Sequence, residues 1–337
     1  MNAMRHTASL LLAATAWLVV AAPPALADPP GPTDYRTEVI GIDPVVAGFR
    51  MEIVGGDFFV LVETDPGVSL EVTGYQGEPY LRFLPDGTIE QNDHSPATYL
   101  NTDRYGITEV PVGISADAEP AWRVVATGGS FAWHDHRTHW MSTARPLGRE
   151  PGDVILEGVI PLVVDGVSVD VTVRSVWQPA PSPAPVLAGM AAGLVIASAA
   201  AFGRARIGTL AALLVGLAAA ASLLGVTALR SVPPETGPSW SLWAPPLAAL
   251  ALGAAAVAAV AMQSMAALRR WASAAALIGA VVLTVWGFLH REWMWRAVLP
   301  TGSPFWAERF VTGAVLVAGI GLVMLIGRSQ ARGDDRD

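Results

Sequence analysis

Three of the chain's six histidines fall within six residues, in Phe131-Ala132-Trp133-His134-Asp135-His136-Arg137-Thr138-His139-Trp140-Met141. Imidazoles at this density either ligate a transition metal, sense pH near neutrality, or brace a fold through hydrogen bonds. On a strand, His134 and His136 lie on one face, about 6.6 Å apart along the axis, where their rings can lean onto one ion. His139 and Met141 repeat the two-residue spacing out of phase. A bulge or turn at Arg137-Thr138 would bring all four to one side. Imidazole with thioether favours copper, because soft ligands select Cu(I). Asp135 is placed to orient a ligating histidine from behind. The opposing reading starts from Arg137, whose charge disfavours a cation beside it. On that reading Phe131, Trp133 and Trp140 pack a rim, Asp135 and Arg137 form a surface pair, and the histidines are structural or pH-sensing.

Two further places offer auxiliary ligands. His94 sits in the polar stretch Gln91-Asn92-Asp93-His94-Ser95-Pro96, and His290 and Met294 follow the fourth apolar run beside Trp293 and Trp295. A lone histidine at a helix end is otherwise an interfacial residue. With no cysteine, disulfides, thiolate zinc sites, iron–sulfur clusters and cysteine nucleophiles are excluded. The sequence has no Gly-x-Ser-x-Gly elbow, phosphate-binding glycine loop or His-Glu-x-x-His helix. No carboxylate pair stands out for acid–base work, so the reading is a binding protein and not an enzyme.

These residues must be positioned by two segregated units. Mean hydropathy is +0.44, yet residues 28–178 hold most of the charge, with 23 Asp or Glu against 9 Arg. Such a surface repels nucleic acid and weakly concentrates cations. Every basic residue is arginine; with abundant Ala, Gly and Pro this is the codon signature of a GC-rich, actinobacterial type of genome. Residues 1–27 read as a signal peptide, with Arg5, an apolar run from Leu10 to Ala22, and small residues at Ala25 and Ala27 before the cleavage point. Residues 28–178 read as short strands between turns, the pattern of an immunoglobulin-like or cupredoxin-like β-sandwich. The alternating valines from Val167 to Val176, preceded by Asp165-Gly166 and Leu162-Val163-Val164, predict a hairpin, with Pro161 starting its first strand. Residues 179–185 are a proline-rich linker, expected to hold the β domain off the membrane by roughly 20 Å.

Residues 186–327 contain five apolar runs, each close to the ~20 residues that cross a bilayer, and form a transmembrane helical bundle. Gly189-x-x-x-Gly193 allows close helix packing. No ionisable residue lies inside a run, which argues for an anchor or assembly platform over an ion transporter. Seven arginines (204, 206, 269, 270, 328, 332 and 336) flank the runs on one side and four (230, 291, 296 and 309) on the other. By the positive-inside rule the β domain is extracytoplasmic and the tail, 328–337, is cytoplasmic, in a plasma-membrane protein.

Tyr75-Gln76-Gly77-Glu78-Pro79-Tyr80-Leu81-Arg82-Phe83, Ser95-Pro96-Ala97-Thr98-Tyr99-Leu100-Asn101 and the segment from Trp133 to Met141 resemble a group of actinobacterial exported membrane proteins. That resemblance implies the architecture and no particular activity. Over about nine residues, Trp133, His134, His136 and Met141 are also similar to the Trp-His-x-His-x-Met-Met run of the copper-binding, cupredoxin-like periplasmic subunit of particulate methane monooxygenase. That similarity implies a copper ion as cofactor. The family also uses an N-terminal histidine, whereas the processed chain here would begin at Asp28. The expected function is therefore binding or delivery of copper beside the bilayer, with a metal donor or acceptor protein as partner. The alternative is a non-catalytic envelope interaction or assembly protein.

Overall fold

The valines around Asp165-Gly166 form the hairpin that organises the β domain. In the computed structural model, which describes residues 30–236, 239–262 and 266–334, β9 (Val154–Val164) and β10 (Val167–Trp177) pair antiparallel from Val164↔Val167 outward. Asp165 and Gly166 both take positive φ, 47° and 81°, as a type I′ turn requires. Val169, Val171 and Val173 are buried, followed in phase by Ser175 and Trp177; Val167, at the turn, is exposed. Pro161 lies inside β9 and does not start it. It sits one residue past the last pair that β9 makes with β4, Leu162↔Val72, so that edge has no partner there.

The remaining strands are β1 (Tyr35–Asp43), β2 (Phe49–Val54), β3 (Phe59–Thr64), β4 (Leu70–Thr73), β5 (Pro79–Phe83), β6 (Thr88–Asn92), β7 (Trp122–Thr127) and β8 (Ser130–Trp133), with a one-turn helix α1 at Pro96–Leu100. They make a seven-stranded sheet, β1-β10-β9-β4-β5-β6-β7, and a three-stranded sheet, β2-β3-β8. Both are antiparallel. Val60, Val62, Phe131 and Trp133 from the small sheet meet Leu70, Leu81, Phe83, Ile160, Val171 and Val173 from the large one in a single core. This is a β-sandwich. Burying each such side chain contributes about 1.5–3 kcal/mol, which is how a domain without disulfides holds together.

Five helices follow: α2 (Ala184–Phe202), α3 (Ile207–Leu229), α4 (Trp240–Ala261), α5 (Ala266–Leu289) and α6 (Phe305–Asp334). Each is long and apolar enough to cross a membrane, so the protein is a multi-pass membrane protein. The last of them, α6, touches α2, α3 and α5. Against α2 it packs backbone to backbone: a β carbon on Gly189 would strike the Phe310 carbonyl, and one on Gly193 would sit 2.7 Å from the Ala314 carbonyl. The proposed signal peptide, residues 1–27, and the last three residues of the tail lie outside the described residues.

The linker does not hold the two units apart. Thr33 and Val298, in the loop between α5 and α6, exchange backbone hydrogen bonds of 2.9 and 2.8 Å. Arg296 donates to Asp34 at 2.7 Å, and the Ala297 amide donates to the same carboxylate. A 3₁₀ turn, Pro234–Thr236 between α3 and α4, reaches β8. The spacing expected from the linker's composition is absent because contacts outside the linker draw the units together. The gap is closed by loops on both sides of it.

Candidate functional site

The histidine segment begins where β8 ends, at Trp133. The strand geometry expected for His134 and His136 is therefore absent, and the two rings go to different neighbours. His134 is fully buried, stacks on Phe59 with centroids 4.3 Å apart, and bonds the Phe58 carbonyl through Nδ1 at 2.7 Å. His136 lies parallel to Tyr75 at 5.8 Å and bonds the Asp103 carbonyl through Nε2 at 3.0 Å. Its backbone amide donates to the Tyr75 hydroxyl.

The turn expected at Arg137-Thr138 is present. The Thr138 amide and hydroxyl both donate to the Asp135 carbonyl, closing a loop over residues 135–138. The loop returns His139 against both earlier rings, edge-on, at 6.4 Å from His134 and 5.4 Å from His136. His139 is 1% exposed, and its Nε2 has no hydrogen-bond partner. Burial pushes this imidazole down to about 3, with the Arg104 charge adding to the effect. The ring is thus neutral at physiological pH. In the tautomer that lets Nδ1 donate toward the Trp140 carbonyl, Nε2 presents a lone pair.

Met141 joins this group through a position with no side chain. Gly106 has φ +65°, and a β carbon there would lie 2.9 Å from Cε1 of His136 and 3.0 Å from the Met141 methyl. Both side chains lean into the space that Gly106 leaves.

Asp135 and Arg137 form a buried pair, not a surface one, and the carboxylate is taken up by Trp133 and Arg137. The Asp135 oxygens accept from Trp133 Nε1 and from Arg137 Nε and Nη2. Burial alone would raise this carboxyl; the Arg137 guanidinium outweighs it and holds it below its ordinary value. Arg137 also donates to the Thr73 carbonyl and lies over the Tyr75 ring. Its positive charge is therefore neutralised on the spot.

The auxiliary positions stand apart. His94 bonds the Glu119 carbonyl, and among the described residues no hydrogen bond or ring contact joins it to the cluster. His290 is boxed by Trp286 and Trp293 at the end of α5, with Met294 buried in the following 3₁₀ turn. Among the described residues, no ring contact or hydrogen bond joins His290 to the three clustered rings either.

Tyr75, Asp103, Gly106 and a second buried ion pair, Arg104 with Asp57, are site residues that the motif did not point to. Arg104 lies over the Phe58 ring at 4.1 Å. Only the single-residue spacing of Asp103-Arg104 to Gly106, near a turn, carried any local signal.

With metal–nitrogen bonds of about 2.0–2.1 Å, two imidazoles on a tetrahedral ion have centroids roughly 5–5.5 Å apart. His136 and His139 meet this at 5.4 Å, and His134 at 6.4 Å lies outside it. Among the described residues no group of three or more His, Cys, Asp or Glu is arranged to hold a metal ion. Two imidazoles and a thioether are a smaller and softer set. No protein-family model, curated protein or solved structure matches the chain.

Proposed function

We propose that this membrane protein binds copper, as Cu(I), on an extracytoplasmic β domain and hands it on without catalysing a reaction. His139 Nε2, His136 Nδ1 and Met141 would be the ligands. One observation carries the reading: a buried, neutral imidazole whose Nε2 has no partner faces a second imidazole at ligand spacing. Buried polar atoms are ordinarily paired, so an orphan beside a second donor needs a reason. His136 uses its other nitrogen on the Asp103 carbonyl at 3.0 Å, the arrangement that fixes tautomer and orientation in metal-ligating histidines, and His139 Nδ1 lies at a longer 3.4 Å from the Trp140 carbonyl. Asp135 neutralises Arg137, and Asp57 pairs with Arg104, whose remaining influence on His139 favours the neutral, ligating form of that ring. The arginine bias supports the outward orientation. The helices, uncharged through their apolar runs, serve as anchor and platform beside the bilayer, where a donor or acceptor protein would meet the domain.

A second reading has its own support. The segment ties together Phe58 before β3, Thr73 and Tyr75 at the end of β4, and Asp103 after α1, and Thr37 donates to the Thr138 carbonyl. That is also what a structural brace in an interaction protein would do. Titration of the full chain in neutral detergent with Cu(I), under ascorbate and against a competing chelator, separates the two. Copper handling expects one ion per chain, a raised melting midpoint, and loss of both in the His136→Ala, His139→Ala double variant. Met141→Leu should weaken Cu(I) more than Cu(II). A wild type that gains no stability from copper, with a double variant that melts much lower in chelator, makes the cluster scaffolding.

A further inference from the structure

A strongly acidic domain carries, at its junction with the helices, a pocket walled by arginine. The cavity is about 90 Å³ and lies among Arg104, Arg145, Arg296, Tyr105, Ser142 and Thr143. Three arginines and five hydroxyl-bearing side chains, Thr33 and Tyr35 among them, therefore line it, against one carboxylate, Asp34. The three arginines come from three parts of the chain: the loop after α1, the segment after the histidines, and the loop between α5 and α6.

Their positions are fixed by different means. Asp57 and the Phe58 face hold Arg104, and Asp34 holds Arg296 at 2.7 Å. Arg145 lies over the Trp177 ring at 6.0 Å and makes no ion pair among the described residues. Arg104 is 8% exposed, yet its Nη1 has no hydrogen-bond partner. A buried guanidinium donor without an acceptor is rare and calls for an ion. Guanidinium forks are suited to the paired oxygens of phosphate or carboxylate, and hydroxyls complete such a shell. The pocket is too small for more than a compact group.

We infer that this pocket binds a phosphate-type oxyanion, either free in solution or as the headgroup phosphate of a lipid, with Arg145 as the arginine that has charge to spare. The site does not depend on the copper reading, because neither His136, His139 nor Met141 lines it. It also gives the junction a reason to be polar: an anion bridging Arg145, from the β domain, and Arg296, from the helical loop, would join the two units.

The test uses the full chain in neutral detergent, with chelator present throughout so that no copper response enters. Inorganic phosphate is titrated at ionic strength matched with chloride, and the melting midpoint is followed. The wild type should rise saturably, since a ligand of the folded state stabilises by mass action. Arg145→Gln, which removes an exposed side chain with no ion pair to lose, should shift the half-effect concentration at least tenfold, and Arg145→Lys should shift it less than Arg145→Gln. The source is read by repeating the titration in lipid discs containing phosphatidylglycerol. Loss of the phosphate response there means that the headgroup takes the site, and its persistence means a solution oxyanion. No rise in the wild type at matched ionic strength, or a shift under tenfold in Arg145→Gln, overturns the proposal.

Discussion

His139 offers a measurement in which the sign and size of the effect follow from one buried ring. Its imidazole has an ordinary value of 6.5 and is pushed down to about 3 by burial. The unfolded chain therefore takes up a proton at this residue between pH 6.5 and 3 that the folded chain refuses. A group depressed in the folded state contributes stability that is present above its unfolded value and is lost as pH falls toward its folded value. Between pH 7.5 and 4.5 the loss amounts to nearly two units of proton affinity, or about 2–3 kcal/mol at 1.36 kcal/mol per unit. Other groups titrate over the same range, so the informative quantity is a difference. His139→Leu removes the titration at similar volume and, because Nε2 has no partner, strands no strong hydrogen-bond donor. Urea unfolding of the β domain within the full chain, followed by tryptophan fluorescence in chelator at both pH values, gives two stability losses. The wild type should lose about 2–3 kcal/mol more than His139→Leu. Parallel losses, agreeing to within about 0.5 kcal/mol, would refute the claim that His139 is held neutral by its surroundings, and with it the lone pair on which the copper proposal rests.

Three other substitutions probe separate parts of the argument. Gly106→Ala places a methyl against His136 and Met141 at a left-handed φ, so Cu(I) affinity should fall at least tenfold and stability by about 1–3 kcal/mol; unchanged chelator competition would separate Met141 from the site. Val171, wholly buried between the sheets, should not tolerate Asp: the charge has no partner there, and a loss above about 4 kcal/mol should appear as unfolded or unrecovered protein. Arg296→Ala breaks the contact with Asp34 and should speed proteolysis within residues 179–183 of the full chain while costing only about 1 kcal/mol in the β domain's urea midpoint; equal cleavage rates would mean that the clamp does not order the junction.

What the sequence disclosed was set by local rules. Five apolar runs of bilayer length and the Asp165-Gly166 turn between alternating valines needed no long-range information, and both are in the structure. Periodicity failed at the ends of elements. Val167 faces solvent, and His134 and His136 diverge because β8 stops at Trp133. Pro161 was misplaced because its tolerance depends on where a neighbouring strand, β4, runs out. The site shell was invisible for a related reason. His136 bonds Asp103 across 33 residues and Tyr75 across 61, and Arg104 meets Asp57 across 47. Such contacts are fixed by the packing of the two sheets, and no spacing in the chain announces them.

The junction between the units has a mechanical consequence. The β domain is fastened at Thr33 and Asp34 to the loop that leads into α6, while its other end, through Trp177 and the linker, enters α2, which lies glycine to backbone along α6. Gln178 donates to the Asp34 carbonyl, so the two fastenings are themselves tied together. A body hung from one strap swivels; a body gripped at two points on the same shaft turns only with that shaft. Torque on the β domain, from a partner docking against it, would arrive at α6 and spread from there to α3 and α5.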